Sequence, residues 1–203
     1  MTGYPVREAF FSTTRQEARE QLGIRADERV LLVAGASQGS QTINRMVFEA
    51  LPALLKHATV LHITGGSTTT WREAWTRLPT ELRQRYHPSA FREDMPALMR
   101  AADLAIMRAG ASVIGELPAA ALPALLVPGT FAGGHQRANA AWLAEQGAAE
   151  MVEEQHLDAL GARAIALLDN AQMLTEMRNA ASSLARPDAA KDIADLVTEV
   201  ARR

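Results

Sequence analysis

The chain has 203 residues, which suits one domain or two small ones, and 48% of them are hydrophobic, enough for a sizeable core. The net charge of -2 does not indicate a nucleic-acid partner. The lack of cysteine excludes disulfides, thiolate chemistry and cysteine-zinc sites, and no apolar run approaches the roughly 18 residues of a membrane span. These properties predict a cytoplasmic protein.

The first twenty residues mix aromatic side chains with arginines and carry no signal-peptide core. They favour a solvated linker or a locally packed first helix, and a lipid-surface role is the remaining alternative. We therefore divide the chain into a linker (1–20), a globular domain (21–185) and a C-terminal helix (186–203).

Short apolar runs alternate with helical patterns along the chain. The predicted strands are Arg29–Ala34, Val60–Thr64, Tyr86–Phe91, Leu104–Met107, Ala124–Val127 and Ala149–Val152. The predicted helices are Gln38–Lys56, Thr70–Arg85, Met95–Ala101, Ala111–Ala121 and Gln136–Gln146, followed by helices from about His156 to Arg203 with a break near Arg186-Pro187.

Six apolar strands separated by helices predict parallel strands joined by right-handed crossovers. The fold class is therefore α/β: a Rossmann-like three-layer sandwich around a six-stranded parallel sheet, with C-terminal helices. In such a sheet, ligands bind beyond the carboxyl ends of the strands. The loops that follow the strands are the candidate site.

The first of these loops, Gly35–Ser40, matches neither the GxxxxGK[ST] nor the GxGxxG phosphate pattern. Its glycines let the backbone approach an anion, the N–H groups at the following helix start point at it, and Ser37 adds a hydroxyl. The alternative is a tight turn in which Ser37 caps the helix.

The second loop, Gly65–Thr70, is small and polar. A dinucleotide site would require an acidic residue here to hold a ribose hydroxyl, and the loop has none. This counts against NAD, and an ordinary loop that caps a helix is the simpler interpretation.

The next two loops offer an aromatic ring and a carboxylate. In Phe91–Pro96, the phenylalanine could frame a flat base or belong to the core. In Arg108–Glu116, small residues open a helix whose N-terminus suits an anion, with Ala111 and Ser112 at that end. Glu116 could accept hydrogen bonds from two ribose hydroxyls, or it could be an ordinary surface residue.

The fifth loop, Pro128–Asn139, joins a glycine-rich turn to a helix that begins with imidazole and amide groups. His135 and Gln136 could bind sugar hydroxyls, although a lone histidine is often structural, and Asn139 could face solvent. Because all five loops fall on one edge of the predicted sheet, together they indicate a nucleotide-sugar site.

Three stretches resemble the C-terminal half of the bacterial peptidoglycan glycosyltransferases that add N-acetylglucosamine to lipid I, giving lipid II. Gly35–Asn44 is similar to the family's GGSQGA…N loop, with Ala36 in place of a glycine. Phe91–Glu116 is similar to F…DM…AD…RSGA…E, and Leu122–Ala149 to GLP…VP…QQ..NA…GAA. The opening Gly3–Arg7 is similar to GNPVR, where the chain leaves the family's first domain.

The resemblance implies one half of a GT-B fold that binds UDP-GlcNAc. Ser37, Gln38 and Gly39 would lie at the diphosphate with Arg7, and Ala111 and Ser112 would present N–H groups to phosphate. Arg92 lies where the family's backbone holds uracil, and Glu116 would hold the ribose. His135, Gln136 and Asn139 would fall near the sugar, with His135 replacing the first glutamine of the family's pair.

The resemblance also implies that the lipid-linked acceptor site and the catalytic base belong to an N-terminal domain that precedes this chain. This chain alone would then bind donor without turnover, and the full-length protein would lie at the inner face of the cell membrane. Neither a metal nor a cofactor is implied. The alternatives are another GT-B enzyme, such as an epimerase, and a non-catalytic subunit that keeps the fold.

Overall fold

The computed structural model describes residues 2–35, 39–66, 68–129 and 134–202. Its strands are β1 (Val30–Ala34), β2 (Thr59–Ile63), β3 (Tyr86–Ser89), β4 (Leu104–Met107), β5 (Ala124–Leu126) and β6 (Ala149–Met151). They form a parallel six-stranded sheet in the order β3-β2-β1-β4-β5-β6. The chain reverses its direction of progress between β1 and β4, which confirms the predicted Rossmann-like topology and places a ligand crevice at that switch point.

The helices cover both faces of this sheet. They are α1 (Ala9–Ser12), α2 (Arg15–Leu22), α3 (Gln41–His57), α4 (Thr68–Arg77), α5 (Thr80–Arg83), α6 (Met95–Ala101), α7 (Val113–Ala120), α8 (His135–Glu145), α9 (Leu160–Leu168), α10 (Ala171–Ser183) and α11 (Ala189–Ala201). A 3-10 helix, Glu154–Ala159, precedes α9. Among the described residues, no helix is long and apolar enough to cross a bilayer.

Strand β1 shows how the sequence specifies three layers. Its five residues are all buried, and successive side chains of a strand point to opposite faces. Val30 and Leu32 pack in one apolar cluster with α1, α2, α6, α7 and α8. Leu31 and Val33 pack in the other with α3 and α9. Burial on both faces explains why the strand is a continuous apolar run.

The N-terminal helices belong to the first of these layers. Phe10 on α1 is fully buried, and Thr14 begins α2 with a capping box in which its side chain and that of Glu17 bond each other's backbone N–H groups. The predicted alternative of local helical packing therefore holds for this segment, as two short helices and not one. The division of the chain into linker, domain and tail stays a prediction.

One helix prediction was wrong. The single helix predicted over Thr70–Arg85 is two helices, because α4 ends at Arg77 and α5 begins at Thr80. Pro79 lies between them and disfavours the helical conformation at Leu78. The other predicted helices and strands are present, with ends that agree or differ by a few residues.

The C-terminal helices pack unequally. The break predicted near Arg186-Pro187 is confirmed, because α10 ends at Ser183 and α11 begins at Ala189. Leu174 and Met177 of α10 are buried against the sheet layer. On α11, by contrast, Leu196, Val197 and Val200 are exposed.

Candidate functional site

A cavity of about 590 Å³ lies at the carboxyl ends of β1, β2 and β4, the place predicted for the ligand. This volume is in the range of ordinary small-molecule sites. Five of the predicted site residues line it, namely Arg7, Arg92, Ser112, Glu116 and Gln136. Their separation in sequence shows that the N-terminal segment and the three loops after β3, β4 and β5 converge on one site.

The N-terminus of α7 forms one wall of this cavity. Ser112 occupies the N-cap position, and its hydroxyl donates to Oε2 of Glu116 over 2.9 Å. Glu116 is half-buried, and this bond fixes the orientation of its carboxylate. Ala111 is exposed just before the cap. The arrangement places a carboxylate beside the positive end of a helix. The carboxylate can accept hydrogen bonds from hydroxyl groups, and the helix N-terminus can bind an anion.

The loop after β3 forms another part of the wall. Arg92 and Asp94 form a paired ion bridge, with Nε to Oδ1 at 2.7 Å, and this hydrogen bonding lowers the pKa of Asp94 and raises that of Arg92. Arg7 donates from Nη1 to the Glu93 carbonyl over 3.1 Å. Phe91 is 64% exposed at the cavity, so the interpretation of this ring as core was wrong.

The turn after β1 is constrained by its glycines. Ser37 and Gln38 lie outside the described residues. Gly39 has a φ of 79°, and a Cβ added there would be 2.3 Å from the Thr64 carbonyl oxygen. The cap of α3 is Ser40, whose side chain accepts from the Ile43 N–H, so the alternative prediction that Ser37 caps this helix was wrong.

Replacing Gly39 by alanine should destabilise the fold. A left-handed backbone costs an L-residue about 1–2 kcal/mol, and the clash with the Thr64 carbonyl adds to this. Urea unfolding would measure the loss. Gly66→Ala is the matched control, because a Cβ there meets no described atom within 4 Å. Equal stability of the two variants would contradict this account of the turn.

Arg108 is a site residue that was not among those predicted from the sequence. It is 9% exposed and lines the cavity directly after β4. Its guanidinium donates to Ser40 Oγ over 3.2 Å, to the Pro128 carbonyl over 3.0 Å and to Glu154 over 3.2 Å. It therefore joins the turns after β1 and β5 across the switch point. Its position directly after a central strand could have identified it, because ligands bind at the carboxyl ends of parallel strands.

The start of α8 contributes Gln136 to the cavity. Its Oε1 accepts from the Gly129 N–H over 2.8 Å, which leaves the amide NH₂ of the side chain to donate elsewhere. Asn139 does not simply face solvent, because its Nδ2 donates to the Ala109 carbonyl over 3.0 Å. His135 is exposed. As far as the described residues show, Gly39, Ala111, His135 and Asn139 lie near the cavity without lining it.

A larger cavity, of about 710 Å³, lies near the amino ends of β1 and β2. Its lining includes Arg25, which is paired with Asp27, and Arg29, which lies 3.6 Å from Asp103. We place the candidate site in the smaller cavity, because open parallel sheets bind ligands at the carboxyl ends of their strands.

A buried polar chain runs beneath the turn after β1. His62, in the middle of β2, is fully buried, with Nδ1 3.1 Å from the Tyr86 hydroxyl and Nε2 3.0 Å from Asn44 Oδ1. Asn44 Nδ2 donates to the Thr64 carbonyl over 2.8 Å, which identifies Oδ1 as an acceptor and Nε2 of His62 as a donor. Nδ1 then accepts from Tyr86. The sequence pattern did not predict this group of hydrogen-bonded side chains.

The burial of His62 makes stability depend on pH. It lowers the pKa of His62 to about 3 from the ordinary 6.5. As the pH falls, the unfolded chain therefore binds a proton at this histidine before the folded chain does. The stability that the neutral, buried His62 contributes is complete above pH 6.5 and is lost as the pH falls towards 3. We expect the protonation of His62 in the unfolded chain to lower the free energy of unfolding by about 2 kcal/mol between pH 7 and pH 5. Urea unfolding at both pH values would show a smaller loss in His62→Gln, and an identical loss would contradict the assignment.

The sheet order, the two helical layers and the crevice at the switch point define a Rossmann-like α/β domain. The chain belongs to the family described as glycosyltransferase family 28 C-terminal domain, whose model matches residues 30–193. The resemblance read from the sequence is thereby confirmed.

Relatives and a solved structure agree with this assignment. The chain is 37% identical over its whole length to the UDP-N-acetylglucosamine–N-acetylmuramyl-(pentapeptide) pyrophosphoryl-undecaprenol N-acetylglucosamine transferase of Roseiflexus sp. (strain RS-1), covering 51% of that protein. It is 39% identical to the protein of the same name from Mycolicibacterium vanbaalenii, again over 100% of this chain and 51% of the relative. The chain thus spans about half the length of these curated relatives.

The crystal structure of Acinetobacter baumannii MurG matches with a TM-score of 0.78 at 28% identity, over 97% of this chain and 57% of that one. The structural match therefore extends through nearly all of this chain, including the C-terminal helices.

Proposed function

We propose that the chain is the donor-binding half of an inverting glycosyltransferase that transfers GlcNAc from UDP-GlcNAc to lipid I. The observation that carries this proposal is the convergence of Arg7, Glu116 and Gln136 on one cavity at the N-terminus of α7. Membership of the glycosyltransferase family and the names of the relatives support the choice of donor and acceptor.

The donor would lie across the cavity with its uridine towards α7. Glu116, oriented by the Ser112 hydroxyl, would accept from the ribose hydroxyls. The uracil would lie against the backbone at Arg92, beside the exposed ring of Phe91. Glu116 and the Phe91–Arg92 segment line the same cavity, so one bound nucleoside could contact both.

The diphosphate would lie between the turn after β1 and the start of α7. The N–H groups of Ala111 and Ser112 and the cation of Arg7 would neutralise its charge, with Ser37, Gln38 and Gly39 on the other side. Gln136 would donate to the sugar, with His135 and Asn139 close by. A helix N-terminus and an arginine directed at a leaving diphosphate are a form of electrostatic catalysis.

In the reaction, a hydroxyl of the acceptor would attack the anomeric carbon as the bond to the diphosphate oxygen breaks. The electron pair of that bond would pass to UDP, and a general base would take the hydroxyl proton. We assign the base, the acceptor site and attachment to the inner face of the cell membrane to the part of the relatives' length that this chain does not span.

Calorimetric titration without metal tests donor binding. We expect UDP and UDP-GlcNAc to bind and NAD not to bind, because the loop after β2 lacks an acidic residue for a dinucleotide ribose. Equal binding of NAD would overturn the proposal. A titration with other UDP-sugars would separate a GlcNAc donor site from that of another GT-B enzyme, and the absence of binding to any nucleotide would favour a non-catalytic subunit.

A further inference from the structure

The buried chain of Tyr86, His62 and Asn44 ends at the turn after β1. Asn44 lies one helical turn after the cap of α3, and its backbone N–H donates to the Ser40 carbonyl over 2.8 Å. Its side chain holds the Thr64 carbonyl, the group against which the Gly39 backbone packs. The side chain of Asn44 thus joins the end of β2 to the start of α3.

Thr64 and His62 hold this side chain in one direction. A buried amide can be turned so that its oxygen and nitrogen exchange places, and the hydrogen bonds around it decide between the two. The Thr64 carbonyl can only accept and therefore takes the Asn44 NH₂, and the Asn44 oxygen on the other side accepts from the Nε2–H of His62. The hydroxyl of Tyr86 holds the proton on Nε2 by donating to Nδ1.

We propose that His62 and Tyr86 are positioning residues for the diphosphate-binding turn, acting through Asn44 and the Thr64 carbonyl. This inference rests on the proposed function, in which the turn at Gly39 contacts the diphosphate. It assigns a role to two residues that do not line the donor cavity. It also predicts that their loss affects the phosphate part of the ligand and leaves the nucleoside part, which Glu116 holds, unchanged.

The test compares UDP with uridine. Removing the donor to Asn44 in His62→Leu should weaken UDP binding about tenfold and leave uridine binding within about twofold, because only one part of the ligand loses its preorganised contacts. His62→Gln, which keeps an N–H near the position of Nε2, should restore most of the UDP affinity. Tyr86→Phe removes a single hydroxyl, and we expect a smaller loss of UDP affinity of the same kind.

The control separates positioning from general destabilisation. Leu55 is fully buried on α3, near the end far from the turn, so Leu55→Ala should lower stability without changing the ratio of UDP to uridine affinity. A parallel loss of UDP and uridine affinity in His62→Leu, or an equal effect of Leu55→Ala on their ratio, would overturn the inference.

Hydrogen exchange without ligand keeps this test independent of the proposed function. We expect the amides of residues 39–44 to exchange faster in His62→Leu than in Leu55→Ala, and unchanged exchange would overturn the positioning role. If the unaltered chain did not bind UDP, the proposed function would fail, and the exchange result would still decide whether His62 orders the turn.

Discussion

Replacing Glu116 by alanine is expected to weaken the binding of UDP and of uridine by roughly 10- to 100-fold, the loss that follows from about 1.5–3 kcal/mol of hydrogen bonding to a charged group. The carboxylate lies on the cavity wall and is oriented by Ser112. In the proposed complex it accepts from the ribose, which both ligands contain. Calorimetry at constant ionic strength would measure the change.

Glu93→Ala is the matched control for this loss. Glu93 lines the same cavity and carries the same charge, and it is the Glu93 carbonyl that accepts from Arg7. Removing its side chain changes the local charge by the same amount and retains that bond. If both variants lost the same affinity, or if Glu116→Ala bound UDP as well as the unaltered chain, Glu116 would not hold the ribose.

Replacing Asp103 by alanine is expected to lower the free energy of unfolding by about 3–5 kcal/mol, as for other buried ion pairs that lose one partner. Asp103 is 4% exposed at the amino end of β4. Its carboxylate accepts from Arg15 over 2.6 Å, from Arg19 over 3.0 Å and from the Val30 N–H over 2.9 Å. Arg178 lies 3.8 Å away.

The loss is large because it leaves the buried Arg19 and the half-buried Arg178 without an opposite charge. Arg19 is 4% exposed, and burial already lowers the pKa of Arg178 to about 10, a shift that the carboxylate of Asp103 opposes. Asp27→Ala is the control, since its pair with Arg25 is exposed and pairs of that kind contribute little. Chemical denaturation would compare the two, and a change of similar size in both would contradict this account.

The order of the elements could be predicted because the strands are apolar on both faces and are separated by amphipathic segments. Strand β4 and helix α6 have the ends that the sequence predicted, Leu104–Met107 and Met95–Ala101. The split between α4 and α5 was missed because the apolar pattern continues through Pro79. The restriction that Pro79 places on the backbone of Leu78 set that boundary.

The contacts between loops were harder to predict. Glu116 and Gln136 could be proposed because they follow strands whose carboxyl ends share one edge of the sheet. The structure also contains three buried polar residues that were not predicted, namely Arg108, Asp103 and His62. The role of a buried polar residue is apparent only once its hydrogen-bond partners are known. Those partners lie 18 to 88 positions away in the chain, as in the pairs of His62 with Asn44 and of Asp103 with Arg15. Such pairings arise only when the elements pack.

The most direct measurement is a crystal structure of this chain with UDP-GlcNAc. We predict that the ribose lies on Glu116 and the diphosphate between the turn at Gly39 and the N-terminus of α7, in the cavity of about 590 Å³. A nucleotide bound instead in the cavity of about 710 Å³ near the amino ends of β1 and β2 would contradict the assignment of the donor site.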